Sequence, residues 1–201
     1  YVDVLDQIDL LWEKIQSPVY LDWAFSVIEV LAFFPSPSPS RRMNLLMTMF
    51  PLVTHYQEHV QIEDLNMVHR VNQECELDFS LPSVPDIGDE VNIWKQLEGK
   101  KVYVYTLLQG AVLSRFEQQL KVLAGTDEID VKFNHSLHGG DSLKKFAQGA
   151  DYLIVDTWHS KHAATGSIDQ VVPPEEQIRP DTRGRGCRRY ITKFKQVLER
   201  V

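Results

Sequence analysis

Four of the chain's seven histidines stand in two short segments, Asn134-His-Ser-Leu-His-Gly-Gly-Asp-Ser142 and Asp156-Thr-Trp-His-Ser-Lys-His162. A histidine beside a carboxylate can exchange a proton near neutral pH, so His159, His162 and Asp156 are the candidate catalytic groups of a hydrolase or nuclease. Asp156 could equally close an Asx turn on its own backbone. Ser136, Ser160 and Cys187 are available as nucleophiles, but none stands in a G-x-S-x-G elbow, and no reaction class is defined by them. The pairs His135/His138 and His159/His162 are HxxH spacings that could bind zinc with Asp141 or Asp156. Zinc takes three or four ligands at about 2.0–2.3 Å, nothing in the sequence brings the two pairs together, and neither has the HExxH form. No metal is therefore expected, and no cofactor.

A second chemistry is carried by Arg183-Gly-Arg-Gly-Cys187, a basic, glycine-containing turn just before a helical pattern. Glycines let backbone N–H groups approach an anion, the helix dipole favours negative charge, and arginine offers forked donors suited to phosphate. The alternative is a solvated basic turn that only completes a helix entry. Lys161 and His162 lie at another helix start, followed by Ala163-Ala-Thr165, and Gly139-Gly-Asp-Ser142 is a third such opening. The expected ligand-binding residues are Lys161, His162, Thr165, Arg183, Gly184, Arg185, Gly186, Gly139 and Gly140.

Charge supports an anion at one end of the chain. The net charge is −7, yet residues 177–201 carry +6 and the remainder −13. Such a protein repels nucleic acid over most of its surface and can accept phosphate at one place. Cys75 and Cys187 lack metal-site spacing and read as free thiols of a reducing cytoplasm. The longest apolar stretch, Val27 to Phe34, is broken by Glu29 and stopped by Pro35, so no membrane association is expected. The chain opens on Tyr1-Val2-Asp3 without a Met or a basic-then-apolar leader, which reads as a piece of a longer polypeptide.

These residues need elements to bring them together. Val4, Ile8, Leu11 and Ile15 mark one face of a first helix, Tyr20 to Phe34 a second, and Arg41 to about Glu76 further helix interrupted near Pro51. Met43, Met47 and Met49 with Leu45, Leu46 and Phe50 suit core or partner-helix contacts, and His55, His59 and His69 a solvated face. After a proline-containing stretch the pattern alternates. Strands are expected at 101–107, 129–133 and 152–155, with a weak one at 177–179, and helices at 111–123, 142–148, 160–168 and 187–200. Strands separated by helices make a parallel sheet, and the loops at its carboxyl edge collect ligands. The expected organisation is a helical region at 1–84, a linker at 85–98 and a Rossmann-like α/β domain at 99–201.

Around Gly149-Ala-Asp-Tyr-Leu-Ile-Val-Asp-Thr157 and His162 the sequence resembles a bacterial family of small Rossmann-like domains of unknown function. In that family an Ala-Asp pair opens an apolar strand and a Thr and a His follow it, here Ala150, Asp151, Thr157 and His162. Leu143 and Phe146 fit the approach to that strand. The family's first strand usually ends in a glycine pair, whereas this chain has Thr106-Leu-Leu-Gln109. The resemblance implies the fold and a bacterial setting, with some relatives near mobile-element or phage-defence functions, and no particular activity. The expectation is a cytoplasmic module that binds a nucleotide or nucleic-acid phosphate, with the N-terminal helices contacting other protein subunits. The alternatives are a hydrolase or nuclease using the His/Asp loops, and a structural subunit without a ligand.

Overall fold

Lys101-Val-Tyr-Val-Tyr105 is built of β-branched and aromatic side chains, and every one after Lys101 is buried. A strand buried on both faces must be central, and in the computed structural model β1 (Lys101–Tyr105) lies between β2 (Asp130–Asn134) and β3 (Tyr152–Val155). Both pairings are parallel, with Lys101 opposite Asp130 and Val102 opposite Tyr152. The structure describes residues 1–85, 92–181 and 183–200. The expected α/β class is present: a small parallel sheet in the C-terminal half, preceded by a helical N-terminal region.

Alternation along β1 sends its side chains to two faces. Tyr103 and Tyr105 join Leu153 and Val155 under α7 (Asp141–Gln148) and α8 (His162–Asp169), in a core with Leu143, Ala147, Ala164 and Ile168. The opposite face takes α6 (Ala111–Ala124) and α9 (Arg188–Leu198), where Phe116 meets Tyr190 and Phe194 meets Tyr152. Helix α6 stops at Gly125, whose left-handed φ of +68° turns the chain out of the helix. The stretch 177–179 is reduced to a single bridge, Ile178 beside Ile154 on the outer side of β3.

The chain divides into two compact units, Tyr1–Asp86 and Ile87–Val201. Of the stretch 85–98 read as a linker, residues 86–91 lie outside the described residues. Ile93–Leu97 is a 3-10 helix whose Trp94 and Leu97 are fully buried, with Trp94 edge-on to Phe194. The first unit is helical: α1 (Val2–Trp12), α2 (Leu21–Phe33), α3 (Pro39–Met49), the short α4 (Leu52–His55) and α5 (Ile62–Glu74). Its core includes Phe25, Ile28, Leu45, Leu46, Met49 and Phe50. The buried face of α1 is Leu5 and Trp12, with Ile8 partly covered, and Ile15 just beyond the helix is partly covered as well. Val4 and Leu11, expected to point inward, are 53% and 44% exposed.

Candidate functional site

The loop after β1 leads to α6 on one face of the sheet, and the loop after β3 leads to α8 on the other. They part at the carboxyl edge, the position where doubly wound sheets hold ligands. Here the position is filled by the protein's own side chains. Thr106, next after β1, donates from Oγ1 to Asp156 Oδ2 at 2.9 Å, and Tyr190 Oη donates to the same oxygen at 2.8 Å. Arg189 spans both carboxylate oxygens, with Nη1 3.0 Å from Oδ1 and Nη2 bonded to Oδ2. Arg189 Nη2 also donates to Tyr190 Oη at 2.7 Å.

Asp156, Thr106 and Tyr190 are wholly buried, and Arg189 is 9% exposed. An isolated carboxylate there would be costly, and a fork of charge-assisted bonds is what makes the charge tolerable. Burial alone would raise the Asp156 pKa. The Arg189 fork, with help from Tyr190 and Thr106, outweighs it and holds the carboxyl below its ordinary range. Burial pushes the Tyr190 hydroxyl well above the usual tyrosine value, so it remains a donor throughout the physiological range. The cluster also answers a local problem in α9, whose first turn carries Arg188 and Arg189 where the helix dipole favours an anion. Asp156 is that anion, and it ties α9 to the end of β3.

His159 borders the cluster. Its backbone N–H donates to Asp156 Oδ1 at 3.3 Å, and its Nδ1 lies 3.1 Å from Asp156 Oδ2 and 3.3 Å from Arg189 Nη2. Nδ1 therefore stands between an acceptor and a donor, and the side chain is 20% exposed. His162, the other candidate of this turn, is exposed at the start of α8. The structure thus brings Asp156 and His159 into one cluster with three residues that sequence reasoning missed: Thr106, Arg189 and Tyr190. In the sequence Arg189 reads only as part of the basic end.

The neighbouring loops are fixed to this cluster. Leu107 N donates to His159 O at 2.7 Å, and His135 Nδ1 bonds Thr106 O at 2.6 Å. Tyr105 Oη donates to Ser136 O at 2.9 Å, and the backbone of Lys161 hydrogen-bonds the same hydroxyl. One phenol thereby joins the loop after β2 to the loop after β3. Arg183 lies over the ring of Trp158, with its guanidinium carbon 4.6 Å from the ring centroid. The basic loop before α9 is thus adjacent to the turn before α8.

The remaining candidates fall into distinct surroundings. Lys161, Arg183, Gly184 and Arg185 are exposed, Thr165 is half-buried and bonded to the Lys161 and His162 carbonyls, and Gly186 is buried. Gly139 has a packing role: a Cβ there would come within 2.7 Å of the Ala163 carbonyl oxygen and closer still to the Ser167 side chain. A Cβ on Gly140 would meet open space. Other basic side chains near the C terminus are engaged, Arg179 with Asp169 and Gln177, and Lys193 with Asp181.

The two HxxH pairs lie on separate loops. Among the described residues no group of three or more His, Cys, Asp or Glu side chains is placed to hold a metal ion. The members of each pair have different surroundings. His138 is exposed on the loop after β2, whereas His135 is half-buried and turned onto the Thr106 carbonyl. The pair is divided because an irregular loop, unlike a helix, does not set residues three apart on one face. His159 and His162 are divided in the same way, one bonded to Asp156 and the other exposed.

Fold and site together define an α/β protein with a three-stranded parallel sheet whose switch point is closed by a buried ion pair. A family model described as DpdD-like matches residues 1–186, and the chain belongs to this DpdD-like family, a bacterial defence-associated family. The match extends over the helical unit, the sheet and the Arg183–Gly186 loop. The matching family is described as DpdD-like and not as Rossmann-like, and the chain carries a small parallel sheet. No curated protein and no solved structure matches the chain.

Proposed function

We propose that this chain is a phosphate-binding module for a nucleotide or nucleic acid, working inside a larger bacterial protein or complex in defence. The observation that carries the reading is the Arg183–Trp158 contact at 4.6 Å, because it sets the basic loop before α9 beside the turn before α8. Lys161, His162, Arg183 and Arg185 are then exposed cations or donors on neighbouring loops of one sheet edge. With the switch-point crevice filled by Asp156 and Arg189, an anion meets this outer rim rather than the strand ends. The N-terminal helices serve contacts with other protein subunits, for which the exposed Val4, Leu10, Leu11 and Val30 supply apolar surface. No described helix is long and apolar enough to cross a membrane.

Titration of the chain with mononucleotides, single-stranded nucleic acid and duplex tests the reading. Replacing Arg183 and Arg185 together by Ala should weaken binding of each, and equal binding by variant and wild type would remove the site. A second reading, a hydrolase or nuclease, is supported by His159 Nδ1 at 3.1 Å from buried Asp156, a pairing that fixes the imidazole and leaves Nε2 for proton transfer. Turnover of a nucleotide or nucleic acid that disappears in His159→Gln would establish it. Binding without turnover in the wild type would leave the module reading alone.

A further inference from the structure

Resting on the phosphate-binding reading above, we infer that the ligand is single-stranded nucleic acid, with a base stacked on the platform formed by Trp158 and Arg183. Tryptophan is normally covered, and Trp12 and Trp94 here are 3% and 1% exposed, whereas Trp158 is 45% exposed. The backbone that carries it is also held in place. The 3-10 turn Thr157–His159 is pinned by the Asp156 side chain accepting from His159 N, and by Leu107 N donating to His159 O. An exposed aromatic on a fixed turn costs little further ordering when a ligand stacks on it.

Arg183 lies over the indole, so aromatic and cation present themselves as one unit. Single-strand binders combine aromatic stacking of bases with cations that follow the backbone, and a guanidinium plane stacks bases as well. Both elements meet here, with Lys161 on one loop and Arg185 on the other available for adjoining phosphates. A duplex keeps its base faces stacked on one another and can use only the cations. A mononucleotide can stack but offers its phosphates at one point.

The experiment compares three probes on the 201-residue chain by fluorescence anisotropy: an oligothymidylate, an abasic strand of the same length and a duplex of the same length. Stacking predicts that the wild type prefers oligothymidylate to the abasic strand by about tenfold. Trp158→Ala should erase that preference and leave abasic and duplex binding nearly as before. Trp158→Phe, which keeps a ring beneath Arg183, should retain most of it. If thymidylate and abasic strand bind alike, or if Trp158→Ala leaves the preference intact, stacking is overturned while phosphate binding stands. If none of the three probes binds, the single-strand inference and nucleic-acid binding both fall, and only a mononucleotide is left to the phosphate-binding reading.

Discussion

At the level of single residues, the buried carboxylate of Asp156 decides most of the chemistry. It accepts from Thr106, Tyr190, Arg189 and His159, so its charge is neutralised inside the protein before any ligand arrives. Removing Arg189 would leave that charge uncompensated, and Arg189→Ala should cost about 3–5 kcal/mol in denaturant unfolding. A loss below about 1 kcal/mol would mean that the cluster does not hold α9. The depressed pKa of Asp156 also has a direction in pH. Its contribution to stability is complete above the unfolded carboxyl value, about 3.9, and falls away as pH drops through the lower folded value. The unfolding free energy of wild type should therefore drop on acidification more steeply than that of Asp156→Asn, which has no carboxyl to protonate. Parallel acid limbs would contradict the assignment. That Asp156 could orient a histidine was legible in the sequence, because it ends an apolar strand and His159 follows three residues later. Thr106 and Arg189 were not, since each lies tens of residues from Asp156. His138, three residues from His135, is exposed on its loop.

Among elements, the strands were the most readable, because continuous β-branched and aromatic runs bounded by helical patterns leave few alternatives to a parallel sheet. The predicted spans at 101–107, 129–133 and 152–155 correspond to three adjacent parallel strands, the first ending two residues earlier at Tyr105 and the second running Asp130–Asn134. The first helix was readable as a helix but not in its facing. Val4, Leu5, Leu10, Leu11 and Trp12 put apolar groups on neighbouring stripes, and periodicity cannot choose between stripes when both are apolar. Packing chose Leu5 and Trp12. Trp94 and Leu97 were hidden by the proline-containing context before them, although two large apolar residues three apart are a reason to expect burial. The close approach of α8 to the loop after β2 gives a prediction of its own. Gly139 sits where an added Cβ would strike the Ala163 carbonyl and the Ser167 side chain, so Gly139→Ala should destabilise by about 1–3 kcal/mol. Gly140→Ala, facing open space, should cost less. Equal thermal midpoints for the two variants would show that the close approach does not matter.

For the molecule as a whole, an acidic chain with net charge −7 concentrates exposed arginines on one rim of a small sheet. The buried Asp156–Arg189 pair makes that rim rigid, since it fixes both the turn that carries Trp158 and the helix behind the Arg183–Gly186 loop. Convergence of these loops was legible from topology, whereas Trp158 as the surface joining them was not, because a tryptophan in a turn is expected to fold inward. Arg183 and Arg185 are exposed, so replacing both with Ala should move stability by only about 0.5 kcal/mol. Their effect on binding should be much larger, and it should depend on salt, because each phosphate neutralised releases counterions. The decisive measurement is the affinity of the wild type and of Arg183→Ala/Arg185→Ala for one single-stranded oligonucleotide across a series of salt concentrations. A phosphate-binding rim predicts weaker binding by the variant and a log–log slope shallower by about one to two, at about 0.7 for each phosphate no longer neutralised. Superimposable affinities and slopes, in a variant shown to be folded, would contradict it.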